Sequence, residues 1–375
     1  MKKRLYFVFA LVVAMTMVFA ACTNTGGEVA PEPSPADTAP APADTAPAPP
    51  VDDTVYTINM QFNYAEPMFT GMQHFFDEIE SKSDGRIKID KYYSFSLVAL
   101  PDLVRGLQSG QVDMAAFAPH EFPSLLPLNG TMWGLPFLGW EDQTAVSKIY
   151  NEVYNEYPEM QAEFEELGLR WLAGYSMPGN NAYTIQPGLT TPTDTRNRKI
   201  MIAEPEMQKL VAANGGAPSQ LPPMEWAQSL ERGVVDTVFT HINASTSFGV
   251  MDMTKQAVFF GGKESGDSGG WYFPTVFVTT DDFLNTLPED LRAIVVEVSS
   301  KYGEYMLENE LNMATLNYEN MQSQGIEVVT LTPDQIAAYA DAMTDYRTEN
   351  LKNISEFSPH VYTIYDAILE KIASY

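Results

Sequence analysis

The feature that most constrains the fold of this chain is an alternation of two hydrophobic periods. VYTINMQF, residues 55–62, places Ile58, Met60 and Phe62 at every second position, as a half-buried strand does. Residues 68–82 then carry Phe69, Met72, Phe75, Phe76 and Ile79 at helical spacing, and the pattern stops near Gly85. RIKIDKYY reads as a second strand, LPDLVRGLQSG as a helix closed by Gly110, and VDMAAFA as a third strand. Strand, helix, strand, helix, strand implies parallel strands joined by right-handed crossovers.

The pattern then begins again. A helix is expected from about Gln143 to Leu167, followed by the strand GLRWLAGY, the strand NRKIMI, the helices PEMQKLVAANGG and PMEWAQSLERG, and the strand VVDTVF. The chain therefore builds two α/β lobes. WYFPTVFVTT, residues 271–280, reads as a strand long enough to run from one lobe to the other. From Pro288 to about Ser323 one helical face collects Leu291, Ile294, Val295, Val298, Tyr302, Tyr305, Met306, Met313 and Leu316. At 1.5 Å per residue such a helix spans roughly 50 Å, enough to brace both lobes. IEVVTL adds a strand, and helices from Pro333 onward wrap back over the body.

The N-terminal segment has a different character. Met1, Lys2, Lys3 and Arg4 precede an uncharged apolar run that ends in Ala20, Ala21 and Cys22, the pattern of a secretory signal, residues 1–21. Cys22 is the only cysteine, so no internal disulfide is open to it, and its place after Phe19-Ala20-Ala21 reads as a lipobox: cleavage before Cys22 and diacylation of its sulfur. Acyl chains burying methylenes at ~0.8 kcal/mol apiece anchor a protein to a membrane. Residues 22–54, in which ADTAPAP occurs twice, bury nothing and favour extended polyproline II, so they read as a tether. A formal charge of −27 argues against nucleic-acid binding, since each phosphate contact would be made against a repulsive field.

Catalytic motifs do not assemble. Gly266-Asp267-Ser268-Gly269-Gly270 matches the segment around the nucleophile of chymotrypsin-like proteases, but that chemistry needs a histidine base, a carboxylate and an all-β double barrel. HEFPS at His120 lacks a second histidine four residues on, and His74, His120, His241 and His360 are scattered, so no metal site is expected. GGKESG lacks the ending of a phosphate loop. Trp133, Trp171, Trp226 and Trp271 lie near expected strand ends or inter-lobe connections, where ligands collect in open α/β sheets, although core packing is the better account of any single one of them.

Taken together, FFDEIESKSDGRIKIDKYYSFSL, LVRGLQSGQVDMAAFAPHEFPSLLPL, GLPFL and TPTDTRNRKIMIAEPEMQKLVAANGGAPSQLPPMEWAQSLERGVVD resemble the solute-binding proteins of tripartite ATP-independent periplasmic (TRAP) transporters, dicarboxylate-binding (DctP) type. The resemblance implies a monomeric, non-enzymatic, cofactor-free clamp of the periplasmic-binding-protein type (type II-like). Lobe I is expected over about 55–175 plus C-terminal parts and lobe II over about 182–270, bridged by strand 271–280 and helix 288–323. It also implies a small organic solute as ligand and the membrane subunits of a TRAP permease as partners, in an extracytoplasmic location.

By position, the resemblance sends Phe62, Glu66, Phe117, His120, Trp133, Asn181, Met201, Phe239, Thr240 and Trp271 to the cleft. Most members hold a carboxylate with an arginine in a Lys-x-Arg step. Here that step reads Lys199-Ile200-Met201, and Thr240 takes the place of a cleft asparagine. Met cannot imitate a bidentate guanidinium, so the expected ligand is neutral, aromatic or otherwise held, unless Arg196 or Arg198 supplies the charge. A receptor for an ATP-driven importer and an extracellular serine hydrolase using Ser268 are the competing readings.

Overall fold

The computed structural model describes residues 53–261 and 270–375; the expected signal segment, Cys22, the tether as far as residue 52, and Ser268 lie outside them. Eleven strands are present among the described residues: β1 Tyr56–Phe62, β2 Ile87–Tyr92, β3 Met114–Phe117, β4 Arg170–Ser176, β5 Asn181–Thr184, β6 Lys199–Met201, β7 Ala217–Ser219, β8 Thr237–Thr240, β9 Gln256–Phe259, β10 Pro274–Thr279 and β11 Glu327–Thr330. They form two sheets, one per lobe, ordered β2-β1-β3-β10-β4 and β11-β9-β5-β8-β6-β7.

In the first sheet β1 pairs in parallel with both β2 and β3, as the strand–helix alternation requires, while β10 runs antiparallel between β3 and β4. The two-residue period sorts side chains to opposite faces. Met114, Ala116 and Phe277 join Ile58, Met60 and Phe62 in one core, and Ala115, Phe117, Val276 and Val278 join the other. The second sheet divides likewise: Ala182, Ile200, Phe239 and Val258 face one core, and Tyr183, Met201, Val238 and Ala257 face the other.

Several expected elements break where local chemistry dictates. The helix expected over 143–167 is two helices, Gln143–Glu156 and Pro158–Glu166, because Pro158 has no N–H to continue the ladder and starts a new helix instead. The segment expected to be helical from Met68 begins as a tighter turn, Glu66–Met72, before the α-helix Gln73–Lys82. The long C-terminal helix divides into Glu289–Ser299 and Tyr302–Ser323. Its second part is seated directly on β4: a Cβ on Gly303 would lie 2.5 Å from the Gly174 carbonyl oxygen, so only glycine allows this approach. That 22-residue helix bridges the lobes. Tyr302 and Met306 pack into a first-lobe core, whereas Ala314, Tyr318 and Met321 pack into a second-lobe core.

Midway along it, adjacent residues hold different lobes. Asn309 accepts from the Gly71 amide (2.8 Å) and donates to the Met68 carbonyl (2.8 Å). Glu310 accepts from Asn243, which in turn accepts from Asn317 (2.9 Å). Both oxygens of Glu310 are withdrawn from water, and burial pushes its carboxyl up to about 8.

Segment 271–280 was expected as one strand shared by both lobes. Only Pro274–Thr279 is a strand, and it belongs to the first sheet. Trp271–Phe273 crosses between lobes beside Met177–Asn180, tied by Met177 N–H to Phe273 O (3.1 Å) and Asn180 N–H to Trp271 O (3.0 Å). Pro274, which lacks an N–H, stands where the crossing becomes a strand. After β11 the chain returns through helix Pro333–Ala342, whose Tyr339 lies in a second-lobe core, to helices Thr344–Ser355 and Val361–Ser374 on the first lobe.

Candidate ligand cleft

The cleft side chains come from one kind of place. Asn63 and Tyr64 follow the C-terminal end of β1, Ser94 and Phe95 follow β2, His120 and Glu121 follow β3, Ala203 and Glu204 follow β6, and Thr240 and His241 end or follow β8. Ligands gather at these ends in open α/β sheets because the strands all release their chain there. Met177, Asn180 and Phe273 of the crossing segments form the back wall, and Trp226, Ala244 and Phe248 close the second-lobe side. The cavity between them is about 410 Å³, the size range of small-ligand sites. It shares His120, Glu121, Ala203, Glu204 and Phe273 with a wider chamber of about 620 Å³ that also borders Glu206, Tyr346 and Asn350.

Buried polar groups fix the first-lobe wall. Gln61, fully enclosed, accepts from the amides of Leu97 (3.0 Å) and Val98 (2.7 Å) and donates to Val98 O (2.9 Å), pinning the loop that carries Ser94 and Phe95. Both of those residues adopt φ of 53°, a left-handed conformation costing about 1–3 kcal/mol each without glycine. Gly130 has Pro119 so close that an added Cβ would sit 2.6 Å from the Pro119 carbonyl oxygen, and this contact backs His120. The His120 ring lies 4.1 Å from that of Phe273, its Nδ1 has no hydrogen-bond partner, and burial pushes its pKa down to about 4.

On the facing lobe, Glu204 and His241 each stand at the N-cap of a helix, Pro205–Ala213 and Ile242–Ser247. The His241 Nδ1 accepts from the Ala244 amide (3.4 Å), so that nitrogen is unprotonated, and burial lowers its pKa to about 3. Asn180 donates to one oxygen of Glu204 (3.0 Å), and the other oxygen has no partner. Glu121 accepts from the Ala118 amide (3.1 Å). Burial is the main cause that raises both carboxyls to about 7.

Of the residues the resemblance sent to the cleft, the structure brings His120, Phe239 and Thr240 to the cavity wall. Phe62 lies in the first-lobe core, stacked near Tyr93 and Phe277, and Phe117 and Trp133 lie in the core on the opposite face of that sheet. Glu66 is exposed at the start of the turn Glu66–Met72, away from the lining. Asn181 is spent internally, donating to Gly179 O (3.1 Å) and accepting from the Phe260 amide (3.1 Å). Met201 is fully buried in the core cluster that also holds Trp226 and Leu230 and does not itself line the cavity, and Trp271 stacks against Phe239 at 5.8 Å. Arg198 is a structural residue, donating to the carbonyls of Asp194 (2.8 Å), Pro187 (3.0 Å) and Gln186, and Arg196 is exposed; neither lines the cavity.

Sequence reasoning missed Asn63, Tyr64, Glu121, Asn180, Glu204 and His241, several of them immediate neighbours of the residues it chose. A strand turns each successive side chain to the opposite face, so a position one residue off lands in the core. The signal that finds them is the sequence just past each parallel strand end.

A family model described as bacterial extracellular solute-binding protein, family 7 (DctP) matches residues 58–353. A solute-binding protein of Albidiferax ferrireducens is 22% identical over 294 residues, covering 74% of this chain and 81% of that protein. Among solved structures, a TRAP periplasmic solute-binding protein from Desulfovibrio salexigens matches with a TM-score of 0.73 at 16% identity, covering 86% of this chain and 97% of that one. One from Chromohalobacter salexigens with bound D-glucuronate gives 0.70 at 16% identity, covering 84% and 99%. A marine metagenome protein specific for aromatic acid ligands gives 0.72 at 16% identity, covering 85% and 99%. At these identities the structures speak for the fold, and the family match extends through both lobes. The two-lobed architecture, the bridging helix and that match agree: the chain belongs to the family 7 bacterial extracellular solute-binding proteins, the DctP family of TRAP-type solute-binding proteins.

Proposed function

We propose that this chain is a lipid-anchored, extracytoplasmic capture subunit that closes its lobes on a small organic solute and delivers it to the membrane subunits of a TRAP permease. The observation that carries this reading is the cavity of about 410 Å³ walled by both lobes, with the paired crossing segments behind it. Closure about those segments would exclude water, strengthening each polar contact to the solute and penalising any left unpaired.

The solute is not gripped by an arginine–carboxylate fork. Met201 stands in a core, Arg198 is committed to backbone carbonyls, and no Lys or Arg is among the described residues lining either chamber. D-glucuronate and aromatic acids are ligands of similar proteins; this chain shares their fold, and no Lys or Arg is among the described residues lining its cleft.

A thermal-shift screen against organic acids, polyols, amines and aromatic compounds tests capture. A solute at one hundred times its Kd adds ~2.7 kcal/mol, and the hit should also reduce the radius of gyration in solution scattering. A stabilising hit that leaves the radius unchanged would contradict closure. The anchor has its own test: Cys22→Ser should move the chain from the membrane to the soluble fraction, and unchanged membrane retention would refute it.

A further inference from the structure

Resting on that capture reading, we propose that the solute is an organic cation whose ammonium group is held between Glu121 of the first lobe and Glu204 of the second. Its apolar or aromatic body packs against Trp226, Phe239, Phe248 and Phe273.

The charge census points this way. The residues lining the smaller cavity include two carboxyl groups, Glu121 and Glu204, and the connected chamber adds Glu206; among the described residues no Lys or Arg lines either space. Burial holds both carboxyls near 7, so each is partly ionised at neutral pH, and an anion entering a closed, poorly hydrated site finds no Lys or Arg among the described lining residues to offset its desolvation. The histidines offer no positive charge at neutral pH, since burial holds His120 near 4 and His241 near 3.

The two carboxyls are oriented but not consumed. The Ala118 amide takes one oxygen of Glu121, Asn180 takes one oxygen of Glu204, and the second Glu204 oxygen is enclosed without a donor. An ammonium N–H satisfies that oxygen with a charge-assisted bond. Trp226, Phe239, Phe248 and Phe273 line the same cavity, and a cation seated over a ring face gains further attraction, about 0.5–2 kcal/mol when desolvated.

The placement also couples recognition to closure. Each lobe brings one carboxyl to the cleft, so a cation reached by both favours their ionised form and is held more tightly when the lobes approach. A ligand shifts a conformational equilibrium only through such a difference in affinity between the two states.

The test uses the full chain and matched probes on three bodies, benzyl, cyclohexyl and butyl, each as primary amine, trimethylammonium, alcohol and carboxylate. Binding is read by calorimetry and thermal shift. At least one cationic member should bind, its carboxylate partner at least tenfold more weakly, and Glu204→Gln and Glu121→Gln should each weaken the cation at least tenfold without lowering the melting temperature in its absence. If a carboxylate or alcohol binds best and loses affinity in Trp226→Ala, the cation assignment is overturned while capture in this cleft stands. If the cation binds undiminished to both glutamine variants, the assignment is likewise overturned. If no member of the panel binds while the broader screen finds a solute that closes the lobes, the cation assignment is overturned and capture stands; if that screen also finds none, the capture reading falls with it.

Discussion

The two walls of the cleft are built on different principles. The first-lobe wall is made of loops whose shape is imposed by buried polar groups: Gln61 holds one loop through three hydrogen bonds, and the contact of Gly130 with Pro119 sets another. The second-lobe wall is made of helix starts and aromatic packing, with His241 capping one helix, Glu204 standing at the start of another, and Phe239 backed by Trp271 and Phe260. One wall is fixed by satisfying backbone groups and the other by filling space. Substitutions should therefore fail differently on the two sides.

The largest effect should come from Met201→Arg, which restores the arginine of the resemblance. Met201 is fully enclosed in a core of the second lobe, so an unpaired guanidinium there should cost about 4 kcal/mol or more. The urea midpoint should fall sharply, with no carboxylate binding gained. A stable variant that binds a carboxylate would show that β6 presents this side chain to the cleft after all.

Next is Gln61→Ala. It strands two amides and a carbonyl of Leu97 and Val98, at a cost of about 2–4 kcal/mol. Amide exchange should rise locally around Ser94 and Phe95 while the second sheet keeps its protection; uniform loosening would erase the contrast between the walls. Gly130→Ala should be milder, about 1–3 kcal/mol, but should displace His120, visible as a shift of its imidazole resonances.

A pH-dependent effect lies between the walls. Glu310, raised from the ordinary 4.5 to about 8, takes up a proton on folding. Its stabilising contribution is complete below about 4.5 and is lost as pH rises through 8. Glu310→Gln should flatten the stability profile over that window and raise stability at pH 8.5 relative to the parent. A parallel profile in the two proteins would mean that Glu310 is already ionised in the fold.

The same contrast explains what the sequence disclosed. The first sheet was readable because β1, β2 and β3 are separated by helices and alternate cleanly, as Ile58, Met60 and Phe62 do. In the second sheet β5, β7 and β9 escaped notice. Ala217–Ser219 contains Pro218 and is three residues long, and Asn181–Thr184 is buried throughout, so no alternation marks it. The expectation that 271–280 is a shared strand failed because pairing with β3 ends at Val276 and pairing with β4 at Pro274. At the site, aromatic residues were legible as a class, but Trp133 and Trp171 pack internally while Trp226 faces the cavity. That choice depends on side-chain direction, which one residue of register reverses. Glu121 and Glu204 carried no motif, since their meaning comes from two strand ends brought together by the fold.

The hydrogen bonds between the crossing segments give the molecule a built-in gauge. The amides of Met177 and Asn180 donate across the line about which the lobes would turn, to Phe273 and Trp271. Deuterium uptake at these two positions, compared with Val276 and Val278 deeper in the first sheet, measures how often that line opens. Because it reads the backbone alone, such a clock runs before any solute is known, and a compound that slows it has been detected by its effect on the joint.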